Sequence, residues 1–193
     1  MGRGRRPTDE VRREVLHAAG ELLLEVGMGG FTIDKVAARS RASKVTIYKL
    51  WPSKGTLALE GYFATVAPVL SFPDTGDIEA DLRTQLHAFV ALLTDTAAGR
   101  TIAELIGQAQ TDPDLQTAYL HTYSSPRRAL ALERLELARR CGQVRKDLDA
   151  ESVIDQLWGA CYHRLLIPDQ PLGETFVDTL VTNLFHGIGS TGR

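Results

Sequence analysis

The stretch FTIDKVAARSRASKVTIYKLWPSK, residues Phe31–Lys54, has the pattern of short helices separated by a tight turn. Three hydroxyl residues of the kind that cap helix N-termini, Thr32, Ser43 and Ser53, each come directly before a helix-like run. Residues 40–42, with the sequence Ser-Arg-Ala, fall between the first two runs. The stretch therefore predicts two short helices joined by a turn, with a further helix directly after them.

A longer helix is predicted upstream of this stretch. Thr8 is its expected N-cap, and Asp9 and Glu10 place acidic groups in the first turn, where the helix dipole favours them. Apolar residues then recur at helical spacing until Gly27 and the pair Gly29–Gly30, which predict its end. With the two short helices, it makes a three-helix domain.

Two helices joined by a tight turn form a unit whose second helix fits the major groove of B-form DNA. On the outer face of that helix, Lys44 is expected to reach a guanine edge and Val45 a thymine methyl group. The competing interpretation is an ordinary solvated face, which is what most lysine clusters are. Phosphate contacts are expected from Ser43, Thr46, Tyr48 and Lys54.

The charge distribution agrees with a polyanionic partner for this domain. Residues 1–54 carry eleven Lys/Arg against six Asp/Glu, whereas residues 55–193 carry eleven against eighteen. The formal net charge of −2 therefore hides a basic N-terminal part and an acidic remainder. Charge asymmetry alone is weak evidence, but it coincides with the two-helix unit.

The same residues resemble the TetR family of bacterial transcriptional regulators. The family pattern is close to V-A-x-x-A-G-V-S-x-G-T-x-Y-x-x-F-x-S-K, and residues 36–54 here read VAARSRASKVTIYKLWPSK. The resemblance implies a DNA-binding regulator that pairs as a homodimer and has a ligand domain, without identifying the ligand. It also implies DNA contacts from Thr32 and Lys49, beside the residues given above.

The departures from the family pattern affect expected binding. Arg41 stands where glycine is usual, so a turn that needs a positive φ there would cost roughly 1 kcal/mol, while the cation could lie near a phosphate. Val45 replaces a small residue, and Leu50 stands where a polar residue is common. The basic segment at residues 2–6 is expected to be either a minor-groove arm or a solvating tail.

The rest of the chain predicts helices, because it has no alternating strand pattern and no Asn-Gly or Asp-Gly hairpin. The predicted fold is all-α. A helix-turn-helix domain spans residues 1–54, and a larger effector-binding and dimerisation domain spans residues 55–193. The helices of the larger part are predicted over 53–70, 78–97, 101–109, 113–138, 150–166 and 174–188, with residues 98–100 as a linker.

The last two predicted helices have the widest apolar faces. A helix that is apolar over most of its girth is buried on two sides, so two copies of this pair are expected to form a four-helix dimer interface. The alternative is an internal hairpin within a monomer. The residues expected at the interface are Trp158, Cys161, Leu165, Phe176, Val177, Leu180, Val181 and Leu184.

The middle helices carry a mixed aliphatic and aromatic set with a few polar residues. Ligand sites have mostly apolar walls with a few placed polar groups, so a small apolar or aromatic effector is predicted. The simpler alternative is that these side chains form core. The expected pocket residues are Phe89, Leu93, Ile106, Gln110, Tyr119, Tyr123, Trp158 and Tyr162.

Other chemistry has little support in the sequence. The five histidines are scattered, and no nucleophile elbow, phosphate loop or dinucleotide motif occurs, so no catalytic residue, metal or cofactor is expected. No apolar run is long enough for a membrane span, and the two cysteines are expected to be reduced thiols.

The predicted function is that of a cytoplasmic homodimeric DNA-binding regulator, a ligand-released repressor acting on a palindromic operator. One alternative is a DNA-binding module without a small-molecule effector, controlled by a protein partner. The other is an all-helical carrier or enzyme with an incidental basic segment.

Overall fold

A computed structural model describes residues 7–187, and no strand occurs within that range. The all-α prediction is confirmed, while the basic segment at residues 2–6 lies outside the described residues. Short non-α turns occur at Ala67–Leu70 (3-10), Tyr119–Ser124 (π) and Asp155–Gly159 (π). The α-helices are α1 (Thr8–Gly30), α2 (Ile33–Ser40), α3 (Lys44–Leu50), α4 (Lys54–Val66), α5 (Ile78–Asp95), α6 (Ala98–Ala109), α7 (Pro113–Ala118), α8 (Ser125–Arg140), α9 (Ala150–Ile154), α10 (Ala160–Leu166) and α11 (Glu174–His186).

Three predicted helix caps are confirmed by their hydrogen bonds. The hydroxyl of Thr32 accepts a bond from the backbone N–H three residues on at 3.3 Å, and those of Ser43 and Ser53 do so at 3.1 Å. The prediction for Thr8 is wrong, because it is the first helical residue of α1. Pro7 precedes it with a fixed φ of −55°, and its carbonyl already accepts the first helical bond, so the helix begins one residue earlier than expected.

The predicted linker at residues 98–100 is also wrong, because α6 begins at Ala98. The hydroxyl of Thr96 accepts a hydrogen bond from the Ala98 N–H at 3.0 Å and donates one to the Leu92 carbonyl at 2.6 Å. Thr96 therefore ends one helix and caps the next, so α5 and α6 are almost contiguous. The two long helices predicted over 113–138 and 150–166 are each interrupted by a π-helical turn.

The described chain divides into two compact units. The first contains residues 7–68 and 100–125, and thus joins α1–α4 to most of α6 and to α7. Its core includes the fully buried side chains of Phe31, Ile47, Trp51 and Tyr62. The division at residue 54 into a DNA-binding domain and an effector domain remains a prediction. In the structure, α4 packs with the N-terminal helices in this first unit.

Helices α1 and α4 approach closely at a pair of glycines. A Cβ atom added to Gly20 would lie 2.5 Å from the Gly61 carbonyl oxygen and 2.0 Å from the Thr65 hydroxyl. A Cβ added to Gly61 would lie 2.9 Å from the Gly20 nitrogen. The two backbones are therefore in direct contact, and α4, which begins just after α3, is held firmly against α1.

A kink near the end of α1 is tied to α6 within the same unit. Gly27 has a φ of 65°, a conformation that favours glycine, and the helix continues beyond it to Gly30. The backbone N–H of Met28, which follows the kink, donates to the Glu104 carboxylate at 2.8 Å. A side chain on α6 thus satisfies a donor that the kink removes from the helical pattern.

The second unit contains residues 69–99 and 126–187, with α5 and α11 packed together. Arg83 on α5 donates to the Asp178 carboxylate on α11 at 2.9 Å, and the His87 ring lies 3.0 Å from the same oxygen. Hydrogen bonding from Arg83 holds the pKa of Asp178 below its usual value. The core of this unit includes Leu82, Leu86, Leu157, Val177 and Val181.

Candidate functional site

The turn between α2 and α3 has the conformation expected of a helix-turn-helix unit. Arg41 adopts a left-handed conformation with φ 55°, which confirms that a non-glycine residue occupies a position favouring glycine. The preceding Ser40 stabilises the turn, because its hydroxyl donates to the Val36 carbonyl at 2.8 Å and accepts from the Ala42 N–H at 3.4 Å. The direction of α3 is thereby set relative to α2.

Helix α3 is anchored on one side and exposed on the other. Ile47 and the following Trp51 are fully buried, which fixes the rotation of the helix about its axis. On the opposite face, Val45 is 79% and Tyr48 54% exposed, an unusual exposure for an aliphatic and an aromatic side chain. Lys49 is also exposed on this short helix. The outer face of α3 therefore presents polar, cationic and apolar groups together to the surroundings.

The N-terminus of α3 presents two hydroxyls. The side chains of Ser43 and Thr46 hydrogen-bond each other at 2.9 Å while Ser43 caps the helix. Together with Arg41, they line a concavity between the start of α1 and helix α3, which brings Thr8 and Val11 close to the predicted site. These two α1 residues were not among those predicted for this site. The full lining is Thr8, Val11, Arg41, Ala42, Ser43, Val45, Thr46, Lys49 and Leu50.

Lys44, the predicted base-reading residue, forms an ion pair with Asp34 on α2. Both side chains are largely exposed, so the pair lies on the surface of the domain. Hydrogen bonding and the charge of Asp34 raise the pKa of Lys44 above its usual value. This partner was not predicted, although Asp34 follows the cap residue Thr32 at a position typical of helix-starting acids.

Other predicted contact residues lie on exposed parts of the same domain. Lys54 is exposed at the first position of α4, directly after α3. Thr32 is exposed, although its hydroxyl already accepts the cap hydrogen bond of α2. The structure thus brings the nine predicted DNA-contact residues onto the helix-turn-helix unit and its two flanking helix starts, within one compact unit.

The eight predicted pocket residues fall into two separate groups. Ile106, Gln110, Tyr119 and Tyr123 belong to the first unit, where the Tyr123 ring lies 5.5 Å from that of Tyr119. Tyr123 is buried and packs against two aromatic residues of α4, which agrees with the core interpretation for that residue, whereas Gln110 is exposed. The second group consists of Phe89, Leu93, Trp158 and Tyr162.

That second group forms aromatic contacts within the second unit. The rings of Phe89 and Tyr162 meet edge to face with centroids 5.5 Å apart. Trp158, which lies on the π-helical turn Asp155–Gly159, packs on Phe72 with ring centroids 5.8 Å apart. Turns of this type are rare and are found frequently at functional sites.

The eight predicted dimer residues differ in exposure within the chain itself. Cys161, Val177 and Val181 are fully buried, and burial raises the pKa of the Cys161 thiol to about 12. These three side chains are therefore part of the core of the second unit. The remaining five, Trp158, Leu165, Phe176, Leu180 and Leu184, are half-buried.

Neither a metal centre nor a membrane span stands out in the part of the chain that the structure describes. Within residues 7–187, His, Cys, Asp and Glu side chains form no cluster of three that could hold a metal ion. Over the same range, no helix combines the length and apolar character needed to cross a bilayer.

A turn-linked helix pair whose second helix exposes a mixed polar and cationic face defines a helix-turn-helix DNA-binding domain. Residues 15–60 match the family profile described as bacterial regulatory proteins, tetR family, and residues 72–184 match the tetracyclin repressor-like, C-terminal domain. The chain belongs to the TetR family of bacterial transcriptional regulators. It is a helix-turn-helix DNA-binding regulator of a non-enzymatic family.

Similar proteins extend over nearly the whole chain. YdeS of Bacillus subtilis (strain 168), an uncharacterized HTH-type transcriptional regulator, is 37% identical over 187 residues, which cover 96% of this chain and 94% of YdeS. The DNA-binding transcriptional repressor TetR of Mycobacteroides abscessus is 29% identical over 176 residues, or 88% of this chain and 89% of that protein. The crystal structure of the TetR family transcription regulator SCO0332 is 59% identical, with a TM-score of 0.89 over 93% of this chain and 99% of SCO0332.

Proposed function

We propose that the chain acts in the cytoplasm as a homodimeric repressor that binds a palindromic operator and is released by a small-molecule effector. The observation that supports operator binding is the outer face of α3, where Tyr48 and Val45 are exposed beside lysines on a helix anchored by its buried side. Similarity to a named transcriptional repressor supports the sign of regulation.

The proposed contacts follow from the exposure of each group. Lys44 donates to a guanine edge after leaving Asp34, and Val45 packs on a thymine methyl group. Tyr48 offers its phenol to a phosphate and its ring to a sugar. The remaining proposed groups approach phosphates with hydroxyls or cationic side chains: Thr32, Arg41, Ser43, Thr46, Lys49 and Lys54.

Lys44→Ala and Lys54→Ala are expected to have different effects on DNA binding. The first should cost about 1–3 kcal/mol on the preferred operator and relax base preference at one position, because Lys44 is the proposed base reader. The second should weaken all duplexes alike and reduce the slope of log affinity against log salt by about 1. Operators selected from a random duplex pool, followed by titration at several salt concentrations, measure both effects.

Lys146→Ala provides the matched control, since Lys146 is exposed in the second unit. It should leave affinity, sequence preference and salt slope unchanged. Equal behaviour of all three variants would show that the lysines of the first unit do not contact DNA. A selected consensus without two-fold symmetry would contradict the palindromic operator.

The proposed homodimer rests on the half-buried apolar residues near the C-terminal end of the chain. A single helix-turn-helix head contacts few base pairs, whereas two heads about 34–36 Å apart enter successive major grooves on one face of the duplex. Leu180 and Leu184 lie one turn apart on α11 and are not fully covered by their own chain. A second copy is the proposed cover, in a four-helix arrangement.

Leu180→Glu is expected to convert the dimer into a monomer, because a carboxylate would be buried without a partner at the proposed interface. Sedimentation equilibrium should show the molar mass falling from that of two chains to that of one. Thr179→Glu is the matched control, because Thr179 is exposed on the neighbouring position of the same helix and should leave the dimer intact. A wild-type chain that sediments as a monomer would contradict the proposal.

Effector control is proposed as a population shift. A molecule that binds better to a dimer with differently spaced heads weakens DNA binding by that difference in affinity. The contacts of Phe89 with Tyr162 and of Trp158 with Phe72 support an aromatic site in the second unit for a small apolar or aromatic effector. Helix α4, packed on α1 through Gly20 and Gly61, is the proposed mechanical connection to α3.

A further inference from the structure

Gln85 on α5 is a buried amide whose polar atoms have no hydrogen-bond partner. The residue is 1% exposed, and neither Nε2 nor Oε1 is within hydrogen-bonding distance of a suitable group among residues 7–187. An unpaired buried donor or acceptor is costly, and most buried polar groups in proteins are therefore paired. A side chain with both a donor and an acceptor unpaired thus points to a function other than holding the fold.

A second buried polar residue, one turn earlier on the same helix, shows the contrast. Asp81 is 0% exposed, yet its carboxylate accepts from Arg134 at 2.7 Å and from the Thr75 hydroxyl at 2.7 Å. It also accepts from the Thr75 backbone N–H at 3.2 Å. The buried carboxylate of α5 is therefore paired, whereas both polar atoms of the buried amide one turn later are not.

The neighbours of Gln85 on the helix surface belong to the proposed effector site. Residues spaced four apart lie on the same face of an α-helix, and this spacing places Gln85 in line with Phe89 and Leu93. Both are buried, and the Phe89 ring meets Tyr162 edge to face. A primary amide among apolar groups is the arrangement that orients a largely apolar ligand through a few polar contacts.

We propose that Gln85 is the polar anchor of the effector site, an inference that rests on the proposed ligand control. Its carbonyl oxygen accepts a hydrogen bond from the ligand, and its NH₂ group donates one back. The ligand is therefore a small, uncharged apolar or aromatic molecule with an adjacent N–H or O–H donor and a carbonyl acceptor, such as a lactam or a carboxamide. An ionised carboxylate offers no donor and does not match both amide groups.

Three probes of similar shape test the assignment on the full chain by isothermal titration calorimetry. They are 3,4-dihydroquinolin-2-one, its N-methyl derivative, which lacks the donor, and the hydrocarbon tetralin. The wild type should bind the lactam about tenfold or more tightly than the other two, because those leave a buried group of Gln85 unpaired. In Gln85→Leu this preference should disappear, with tetralin bound at least as tightly as the lactam.

Gln156→Leu is the matched control, because Gln156 is exposed in the same unit and should keep the wild-type preference. If Gln85→Leu does not fold, Gln85→Met replaces it, and the preference for the lactam should disappear in that variant as well. Absence of lactam binding to the wild type, or a preference that persists in both Gln85 variants, would overturn the assignment. Absence of lactam binding would instead agree with a buried water as the only partner of the Gln85 amide.

Failure of the anchor and failure of ligand control give different results. Lactam binding that depends on Gln85 but leaves operator affinity unchanged supports the anchor and contradicts ligand release. Release of the operator by the lactam to the same extent in wild type and Gln85→Leu supports ligand control and overturns the anchor.

Discussion

Gly20→Ala is expected to lower the free energy of unfolding by about 3 kcal/mol, which corresponds to a decrease in Tm of roughly 6–12 °C for a chain of this size. The added Cβ would lie 2.5 Å from the Gly61 carbonyl oxygen, and a backbone atom cannot move away without displacing α4 from α1. The gain in helix propensity, about 1 kcal/mol for alanine over glycine, is smaller than this cost. Thermal and urea denaturation measure the difference.

Gly107→Ala is the corresponding control on α6. A Cβ at that position meets nothing within 4 Å, so the same substitution should stabilise the chain by about 0.5–1 kcal/mol through helix propensity alone. Opposite signs for the two alanine variants would confirm that the close approach of α1 and α4 is essential. Similar stability for both would mean that the two helices do not touch at Gly20.

Arg134→Met is expected to lower the free energy of unfolding by about 3–5 kcal/mol, because it leaves the buried carboxylate of Asp81 without its counter-charge. Arg134 is 14% exposed and donates to Asp81 at 2.7 Å, while its other terminal nitrogen lies 2.8 Å from Asp74. Thr75 alone would then face a fully desolvated charge. The loss should appear as a lower midpoint in urea denaturation with an unchanged slope.

The matched substitution Arg145→Met removes an ion pair that is exposed on both sides. Arg145 lies 3.5 Å from Asp147, and pairs of this kind contribute about 0–1 kcal/mol, so the midpoint should change little. If both methionine variants were equally stable, the Asp81 carboxylate would have to be solvated rather than buried.

Local chemistry allowed much of the fold to be predicted. The caps at Thr32, Ser43 and Ser53 were predictable because each hydroxyl bonds a backbone N–H only three residues away. A backbone cost at Arg41 was expected only if the turn needed a positive φ, because glycine is usual there in the family, and the structure shows that φ is positive. Both features depend on residues that are close in sequence, and the helix-turn-helix unit consists almost entirely of such features.

Features that depend on distant residues were not predicted. The Lys44–Asp34 pair joins two helices, and the close contact of Gly20 with Gly61 joins residues far apart in the chain. The π-helical turn that carries Trp158 has no counterpart in the apolar periodicity, which reads as a continuous helix there. Gln85 was also missed, although its i, i+4 relation to Phe89 on an apolar face was visible in the sequence.

If Lys44 reads the operator as proposed, the Asp34 carboxylate competes with DNA for its ammonium group. At an incorrect base, the Lys44 ammonium would keep a counter-charge, because it would remain paired with the Asp34 carboxylate on α2. The loss of binding free energy on an incorrect sequence is thereby smaller. The gain on a correct sequence is also smaller, because the ion pair with Asp34 must first be broken. Residence on the preferred operator would then be shorter than that of a homologous head with an uncharged residue at this position, whereas residence on other sequences would change little.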